Sequence, residues 1–387
     1  MRTVVLLLLL AHASLAWSST PAIEQAIASS EERIESGDFA GALAVLLPRA
    51  DSQDGTLAYS LAYAYWLSAT VGRAPGDVDS QAATQAIHHA ERAIALGDPS
   101  GYNLLYLAYA NGTGVPEDAA RAADYLRRGA EAGDAGSKLN YMQALYQGAE
   151  AIERDVAKAC PLAFELMDDE RTQAIAAHTV GLILIRGECG RTKDAAAGIG
   201  LVRLAAEHGV SAAEFDLGHL LEHGVGVEAN PSEAMQWYAR AAEHGNARAH
   251  WRLGMAYVNG EGWARDPAAA VAHFRQAAAA GDPDGMASLA TMYASGSGVE
   301  QDFARAIALY QEAARAGQPH ALRGLAVMHM YGQGVEVDLV RSHLLYLQAV
   351  ALGNPGEPAL DQAIRSGMSE AQLAEAQRRF TEWQGSR

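Results

Sequence analysis

The chain has 387 residues and a formal net charge of −17 at pH 7. Half of its residues are hydrophobic and 19% are charged, which suits a chain that buries a sizeable core and argues against disorder. No basic stripe is visible, and a phosphate backbone is held by clustered Lys and Arg. The charge therefore argues against a nucleic-acid partner.

The N-terminus has the three parts of a secretory signal peptide. Met1 and Arg2 form a short positive start, residues 4–10 are an apolar run, and residues 14–16 form a small-x-small cleavage site. The apolar run is shorter than the ~20 residues that span a bilayer, and no cysteine follows it to accept a lipid. We expect residues 1–16 to be removed and the mature chain to be periplasmic or secreted, with no transmembrane segment.

Residues 20–54 carry two apolar helical patterns separated by Gly37 and Asp38. The next helical pattern opens at residues 56–66 and is followed by a loop with Gly72, Pro75 and Gly76. Such polar, helix-breaking residues predict a surface excursion between two helices.

The stretch from Ser211 to Pro355 repeats one sequence pattern four times. The first glycine of each Gly-x-Gly pair recurs every 36 residues without drift, at Gly224, Gly260, Gly296 and Gly332. Looser copies are centred upstream on Gly112, Gly148 and Gly187. A fixed period of 20 to 50 residues is typical of a solenoid.

One repeat, residues 249–281, has the pattern of a helical hairpin. Four of its first residues share one helix face: Ala249, Leu253, Gly254 and Tyr257. Gly260 then ends the first helix. Asp266 and Pro267 stand where an N-cap and a first helical residue belong. Because such a hairpin cannot bury its apolar face alone, each repeat needs its neighbours.

These residues resemble the Sel1-like repeat, a relative of the tetratricopeptide repeat, with the pattern A-x-x-x-L-G-x-x-Y-x-x-G-x-G-V, then D-x-x-x-A, then A-A-x-x-G. The resemblance implies an all-α fold, a right-handed α/α solenoid superhelix over residues 55–356. The segment 20–54 looks like a tetratricopeptide hairpin that caps the N-terminal end. Residues 357–387 leave the pattern and are expected to form a C-terminal capping helix with Ser369 as its N-cap.

Two cysteines fall in neighbouring repeats. By the repeat register Cys160 lies at the start of a second helix and Cys189 in the next interhelix loop, and these places share one edge of such a stack. In an oxidising compartment a disulfide is the favoured interpretation. The alternative is two thiols that never meet. A catalytic cysteine is less favoured, because neither has a histidine at a recognisable spacing.

Histidines at His219 and His223 are four residues apart on one helix, and such a pair could bind zinc. Three histidines, however, stand immediately before a terminating glycine, at His208, His223 and His244. A histidine in the last turn complements the helix dipole, so capping is favoured over metal binding.

No motif in the chain supports an enzyme, a cofactor or a metal. The Gly-x-Gly pairs follow helices, where a phosphate loop would follow a strand. Some cysteine-rich Sel1-like proteins are linked to β-lactam hydrolysis, but their signature is a disulfide in every repeat. With two cysteines, a β-lactam-interacting enzyme is a remote alternative here.

In the related tetratricopeptide family the concave groove is lined by first-helix positions outside the packing pattern. The same offsets select Asn103, Asn111, Phe215, His219, Glu222, His223, Trp251, Met255, Asn259, Thr291, Ser295, Arg323, Met330 and Tyr331. Aromatic and Met side chains on a solvated face are suited to binding a peptide. The alternative is that some of them pack under a neighbouring helix.

Two functions are consistent with this pattern. The first is an exported scaffold or adaptor that binds a partner polypeptide in the groove. The second is an accessory protein of polysaccharide export or cell-wall assembly that binds a glycan or a synthase complex. Aromatic groove residues would serve either function.

Overall fold

The computed structural model describes residues 20–73, 77–261 and 263–386. The predicted signal peptide, residues 1–16, lies outside them, as do Pro75 and Gly76 of the enlarged loop. The chain divides into two compact units, Met1–His208 and Gly209–Arg387. In the described ranges every element of regular structure is a helix, apart from one isolated bridge between Ala149 and Ile152. The prediction of an all-α helical-repeat fold is confirmed.

Within its described residues the first unit holds ten α-helices. They are α1 Pro21–Glu35, α2 Phe39–Leu46, α3 Gly55–Thr70, α4 Ser80–Ala95, α5 Gly101–Asn111, α6 Ala119–Glu131, α7 Ala135–Gln147, α8 Val156–Glu165, α9 Gln173–Arg186 and α10 Ala195–Glu207. Two short 3₁₀ turns, Leu47–Arg49 and Leu166–Asp168, follow α2 and α8.

The second unit also holds ten α-helices in its described residues. They are α11 Ser211–His223, α12 Pro231–Glu243, α13 Ala247–Asn259, α14 Pro267–Ala279, α15 Pro283–Ser295, α16 Phe303–Arg315, α17 Pro319–Tyr331, α18 Leu339–Ala351, α19 Pro358–Ser366 and α20 Glu370–Gly385. From α11 to α18 the helices pack in pairs, and each pair also packs against the next.

The predicted helix ends are confirmed in this array. The Asp266 side chain accepts hydrogen bonds from the amides of Ala268 and Ala269 at the start of α14. The first helices end in left-handed glycines with φ between +64° and +77°, a conformation that a Cβ disfavours. These glycines are Gly224, Gly260, Gly296 and Gly332.

A small residue of the first helix packs against an aromatic ring of the second. A Cβ on Gly254 would lie only 2.5 Å from Cε1 of Phe274, and one on Gly218 only 2.8 Å from Cε1 of Tyr238. Buried aromatic residues recur at the same place every 36 residues, at Tyr238, Phe274, Tyr310 and Tyr346. The period of the sequence is therefore the period of a packing contact.

The C-terminal segment contains two helices, α19 and α20, where the sequence predicts one. Ser369 caps α20 as predicted, in a reciprocal capping box with Gln372. The shorter α19 begins at Pro358 and buries Ile364 against Tyr346 of α18. The sequence pattern missed α19 because its nine residues hold a single fully buried side chain.

Cys160 of α8 and Cys189, in the loop after α9, are joined as a disulfide with their Cα atoms 6.4 Å apart. Cys189 replaces the second glycine of the repeat loop and keeps the glycine's backbone conformation, with φ of 60°. Among the described non-glycine residues it alone has a positive φ.

Candidate functional site

A cleft of about 740 Å³ runs across three first helices of the second unit, α13, α15 and α17. Its floor includes Phe274 of α14 and Tyr310 of α16. Pockets that hold small ligands or anchor side chains have volumes of this order. The repeat stacking builds the cleft, because equivalent positions of successive first helices lie side by side.

Five of the predicted groove residues line this one cleft: Trp251, Met255, Thr291, Ser295 and Arg323. Trp251 and Met255 are half-buried and pack on the core around Phe274. The indole nitrogen of Trp251 donates to Ser288 Oγ at 3.1 Å. This bond fixes the ring against the neighbouring repeat.

The floor of the cleft is closed by a hydrogen bond between Thr291 and Tyr310. Thr291 Oγ1 donates to the carbonyl oxygen of Ala287, so the Tyr310 hydroxyl donates to Thr291 Oγ1, at 2.8 Å. Burial raises the pKa of Tyr310, which keeps the phenol protonated in this role.

One end of the cleft is polar. Asp284, near the start of α15, accepts a hydrogen bond from the side-chain amide of Gln318. Arg323 of α17 is paired with Glu357, just before α19. His320 lies beside them and bonds Asn354 at 3.1 Å. This end therefore holds one anion, Asp284, and one neutralised ion pair.

Three predicted groove residues lie off this cleft. Asn259 is exposed and donates to Glu261 at 3.0 Å. Met330 packs under the C-terminal helices with Tyr346 and Ile364. Tyr331 is 63% exposed at the end of α17.

The expectation that Phe215 and Asn103 face an open groove is wrong. Phe215 is 5% exposed, its ring 5.4 Å from that of Tyr238 and covered by the guanidinium of Arg248 at 4.5 Å. Asn103 is 3% exposed and accepts a hydrogen bond from Asn140 at 2.9 Å. The register placed both correctly on a first helix, but the next repeat covers them.

The remaining predicted positions are exposed or engaged. Asn111 is exposed at the end of α5. The rings of His219 and His223 stack on each other with centroids 4.3 Å apart. Glu222 accepts hydrogen bonds from the Tyr238 hydroxyl at 2.8 Å and from Arg252 Nε at 3.1 Å.

The capping interpretation of the histidines holds for two of three. His208 bonds the carbonyl oxygen of Leu204 at 2.8 Å, and His223 that of His219 at 3.0 Å. His244 instead bonds the fully buried carboxylate of Glu214 at 2.7 Å. In the part of the chain that the structure describes, no group of three or more His, Cys, Asp or Glu side chains is arranged to hold a metal ion.

Sequence reasoning missed several cleft residues. Ala287 lies 36 residues after Trp251, and Val327 lies 36 residues after Thr291. Applying the same offsets to every repeat would therefore have found both. Ser288, Asp284 and Gln318 also line the cleft and carried no signal, because their side chains reach it from helix starts and from beside the predicted stripe.

The fold is that of a helical-repeat protein, and in its second unit the helix pairs recur every 36 residues. The family model of the Sel1 repeat matches seven segments, at residues 57–98, 104–134, 174–210, 211–246, 247–282, 283–318 and 319–354. These segments make up more than half of the chain. The chain therefore belongs to the Sel1 repeat family.

The solved structures to which this chain is similar are distant. A Sel1 repeat protein from Oxalobacter formigenes is 24% identical over 93% of this chain and 99% of its own, with a TM-score of 0.49. A protective antigen of uropathogenic Escherichia coli is 22% identical over 93% of this chain and 84% of its own, at 0.43. An immunity protein of Pseudomonas aeruginosa is 16% identical over 60% of this chain and 82% of its own, at 0.36.

Likenesses this distant carry no argument about function. No curated protein matches the chain. Among the described helices none is long and apolar enough to cross a membrane.

Proposed function

We propose that this chain is an exported adaptor, without catalytic activity, that binds a partner polypeptide in the cleft of α13, α15 and α17. Sel1 repeats generally serve as protein-interaction scaffolds. The observation that carries the proposal is an apolar cleft wall, with Trp251 and Met255 half-buried rather than sealed in the core. Export rests on the signal-peptide pattern of residues 1–16.

The cleft's polar groups favour a polypeptide over a glycan. A sugar presents many hydroxyl groups that need hydrogen-bonding partners. In the cleft the Trp251 indole nitrogen is bonded to Ser288 and the Tyr310 hydroxyl to Thr291, so these groups are already engaged. An apolar side chain needs no such partners and gains from burial.

The test compares two aromatic truncations of the mature protein. Trp251→Ala removes a cleft wall, whereas Tyr331→Ala removes a 63% exposed ring off the cleft. Truncating an aromatic anchor in an interface commonly costs ~2 kcal/mol or more, about thirtyfold in affinity. We expect the proteins that the parent chain captures from an envelope extract to be lost with Trp251→Ala. The same proteins should be retained with Tyr331→Ala.

Thermal melts of both variants accompany the capture. Trp251→Ala should melt a few degrees lower and remain folded at the capture temperature. Capture that is unchanged by Trp251→Ala, or equally reduced by Tyr331→Ala, would contradict binding in this cleft. N-terminal sequencing tests export separately, with a start close to Trp17 expected.

A further inference from the structure

Building on the proposed function, we infer that the partner segment carries an apolar anchor residue next to a basic one. The anchor, of the size of Leu, Met or Phe, sits against Trp251 and Met255 in the cleft wall. The Lys or Arg side chain beside it pairs with Asp284 at the polar end of the cleft. The occupant is thus a cationic, amphipathic segment of another protein.

The cleft wall is suited to an unbranched or aromatic apolar side chain. Three methionines line it, Met255, Met292 and Met328. Methionine side chains are flexible and polarisable, so they adapt to the shape of an inserted group. Val258 and Ala294 continue the apolar surface toward the far end.

The polar groups near the centre of this wall are bonded within the protein. Trp251 donates to Ser288, and Ser295 Oγ donates to the carbonyl oxygen of Thr291 at 2.8 Å. At the polar end, Arg323 is held by Glu357. A partner therefore gains little by presenting polar groups to the wall, and most by burying apolar surface.

The polar end has an uncompensated negative charge. No Arg or Lys among the described residues lies within ion-pair distance of Asp284, which accepts only from the neutral amide of Gln318. The cation of Arg323 is already neutralised by Glu357. A carboxylate brought to this end would be repelled, and a cation would be attracted.

The charge of the surrounding unit acts in the same direction. Residues 209–387 contain 20 Asp and Glu against 13 Arg and no Lys, an excess of seven negative charges. Complementary charge speeds encounter and selects among partners more than it adds raw affinity. A basic segment is therefore favoured both at the approach and at the polar end.

A displayed library of random twelve-residue peptides, selected on the full mature chain, tests the inference. We expect enriched sequences to place Leu, Met or Phe within one helical turn of Lys or Arg. The best sequence is then synthesised, and its affinity is measured by fluorescence anisotropy. Trp251→Ala should weaken binding about thirtyfold and Asp284→Asn about tenfold, with a flatter salt dependence.

Two controls separate charge from structure. Asp284→Glu keeps the charge and should retain binding within about threefold. Glu300→Gln removes an exposed carboxylate outside the cleft. Its effect on the affinity should also stay within about threefold.

The outcomes distinguish the two proposals. Enrichment of acidic or uncharged peptides that still depend on Trp251 overturns the basic partner and leaves binding in the cleft standing. Unchanged affinity with Asp284→Asn also overturns the basic partner and leaves binding in the cleft standing. Selection that yields no peptide sensitive to Trp251→Ala overturns both.

Discussion

In the unit Gly209–Arg387 the repeats keep a strict period of 36 residues, and small first-helix residues pack against second-helix aromatic rings, as Gly218 does on Tyr238 and Gly254 on Phe274. In the unit Met1–His208 the spacing between the loop glycines varies, from 36 residues between Gly112 and Gly148 to 39 between Gly148 and Gly187. The Sel1 model also leaves residues 135–173 unmatched. The disulfide from Cys160 starts in that unmatched segment.

The difference shows two ways of holding a helix pair to its neighbour. The regular array uses one packing contact again and again, so its stabilisation is spread evenly over the repeats. The irregular segment has lost the glycine at position 189 and has a covalent bond instead. A substitution at an equivalent site should therefore act differently in the two units.

The largest effect is expected from removal of the disulfide. The bond joins residues 29 apart, which in the chain-entropy model stabilises by about 3 to 4 kcal/mol. Replacing both cysteines by serine should lower the free energy of unfolding of the first unit by that amount. Hydrogen exchange resolved by peptide should show faster exchange in α8 and α9 and no change in α13 to α18.

The loop conformation supplies the matched control. A glycine at position 189 accepts the positive φ of Cys189 more readily than serine does, by roughly 1 kcal/mol. Cys160→Ser with Cys189→Gly should therefore recover about that much. Equal stability of all three proteins would mean that the bond does not brace this segment.

The second effect breaks a packing contact of the regular array. A Cβ at Gly254 would lie 2.5 Å from the Phe274 ring, so Gly254→Leu must displace the ring or separate the two helices. Overpacking of this kind costs about 3 kcal/mol at the upper end of its usual range. Denaturant titration should show the loss in the second unit.

Gly200 provides the comparison in the other unit. It also lies inside a helix, α10, but a Cβ there would meet nothing within 4 Å. Gly200→Ala should stabilise by roughly 0.5 to 1 kcal/mol, because alanine favours a helix interior over glycine. A destabilised Gly200→Ala, or a Gly254→Leu as stable as the parent, would contradict the assigned helix contacts.

The third effect is an acid sensitivity of the first unit. Burial lowers the pKa of His89 to about 4, and its Nδ1 has no hydrogen-bond partner. Between pH 6.5 and 4 the unfolded chain binds a proton here that the folded chain does not, so stability falls as the pH falls. The loss should reach about 2 kcal/mol at pH 5.

His89→Phe isolates this contribution, because phenylalanine does not titrate. It also keeps a ring beside Tyr65, whose ring stacks on that of His89 with centroids 5.6 Å apart. The drop in unfolding free energy between pH 7 and pH 5 should shrink in the variant. Identical pH dependence in both proteins would show that His89 is protonated without cost to the fold.

Most of the fold could be predicted from the sequence, because the period of the glycines is also the period of the packing contacts. The helix ends at Gly260 and Asp266 followed from local backbone chemistry. The short helix α19 did not, since nothing periodic marks it. Prediction was strongest where the chain repeats itself.

The candidate site was predicted less completely. The offsets placed Trp251, Met255 and Arg323 in one cleft, because equivalent positions of stacked repeats share a face. They failed at Phe215 and Asn103, which are covered by side chains of the next repeat, Arg248 and Asn140. Coverage of this kind depends on the identity of one neighbouring residue, which a periodic pattern does not contain.

In the second unit, the first-helix caps Asn246 and Gln318, and Asn354 at the same position of the repeat register, also reach back by one repeat. Asn246 donates to the carbonyl oxygen of Ser211 at 3.2 Å, Gln318 to Asp284, and Asn354 bonds His320 at 3.1 Å. Each of these contacts spans 34 or 35 residues, so it survives only if whole repeats are inserted or deleted. Chains of this kind can therefore lengthen or shorten by recombination in steps of 36 residues, and the number of repeats can change while the joints between them stay the same.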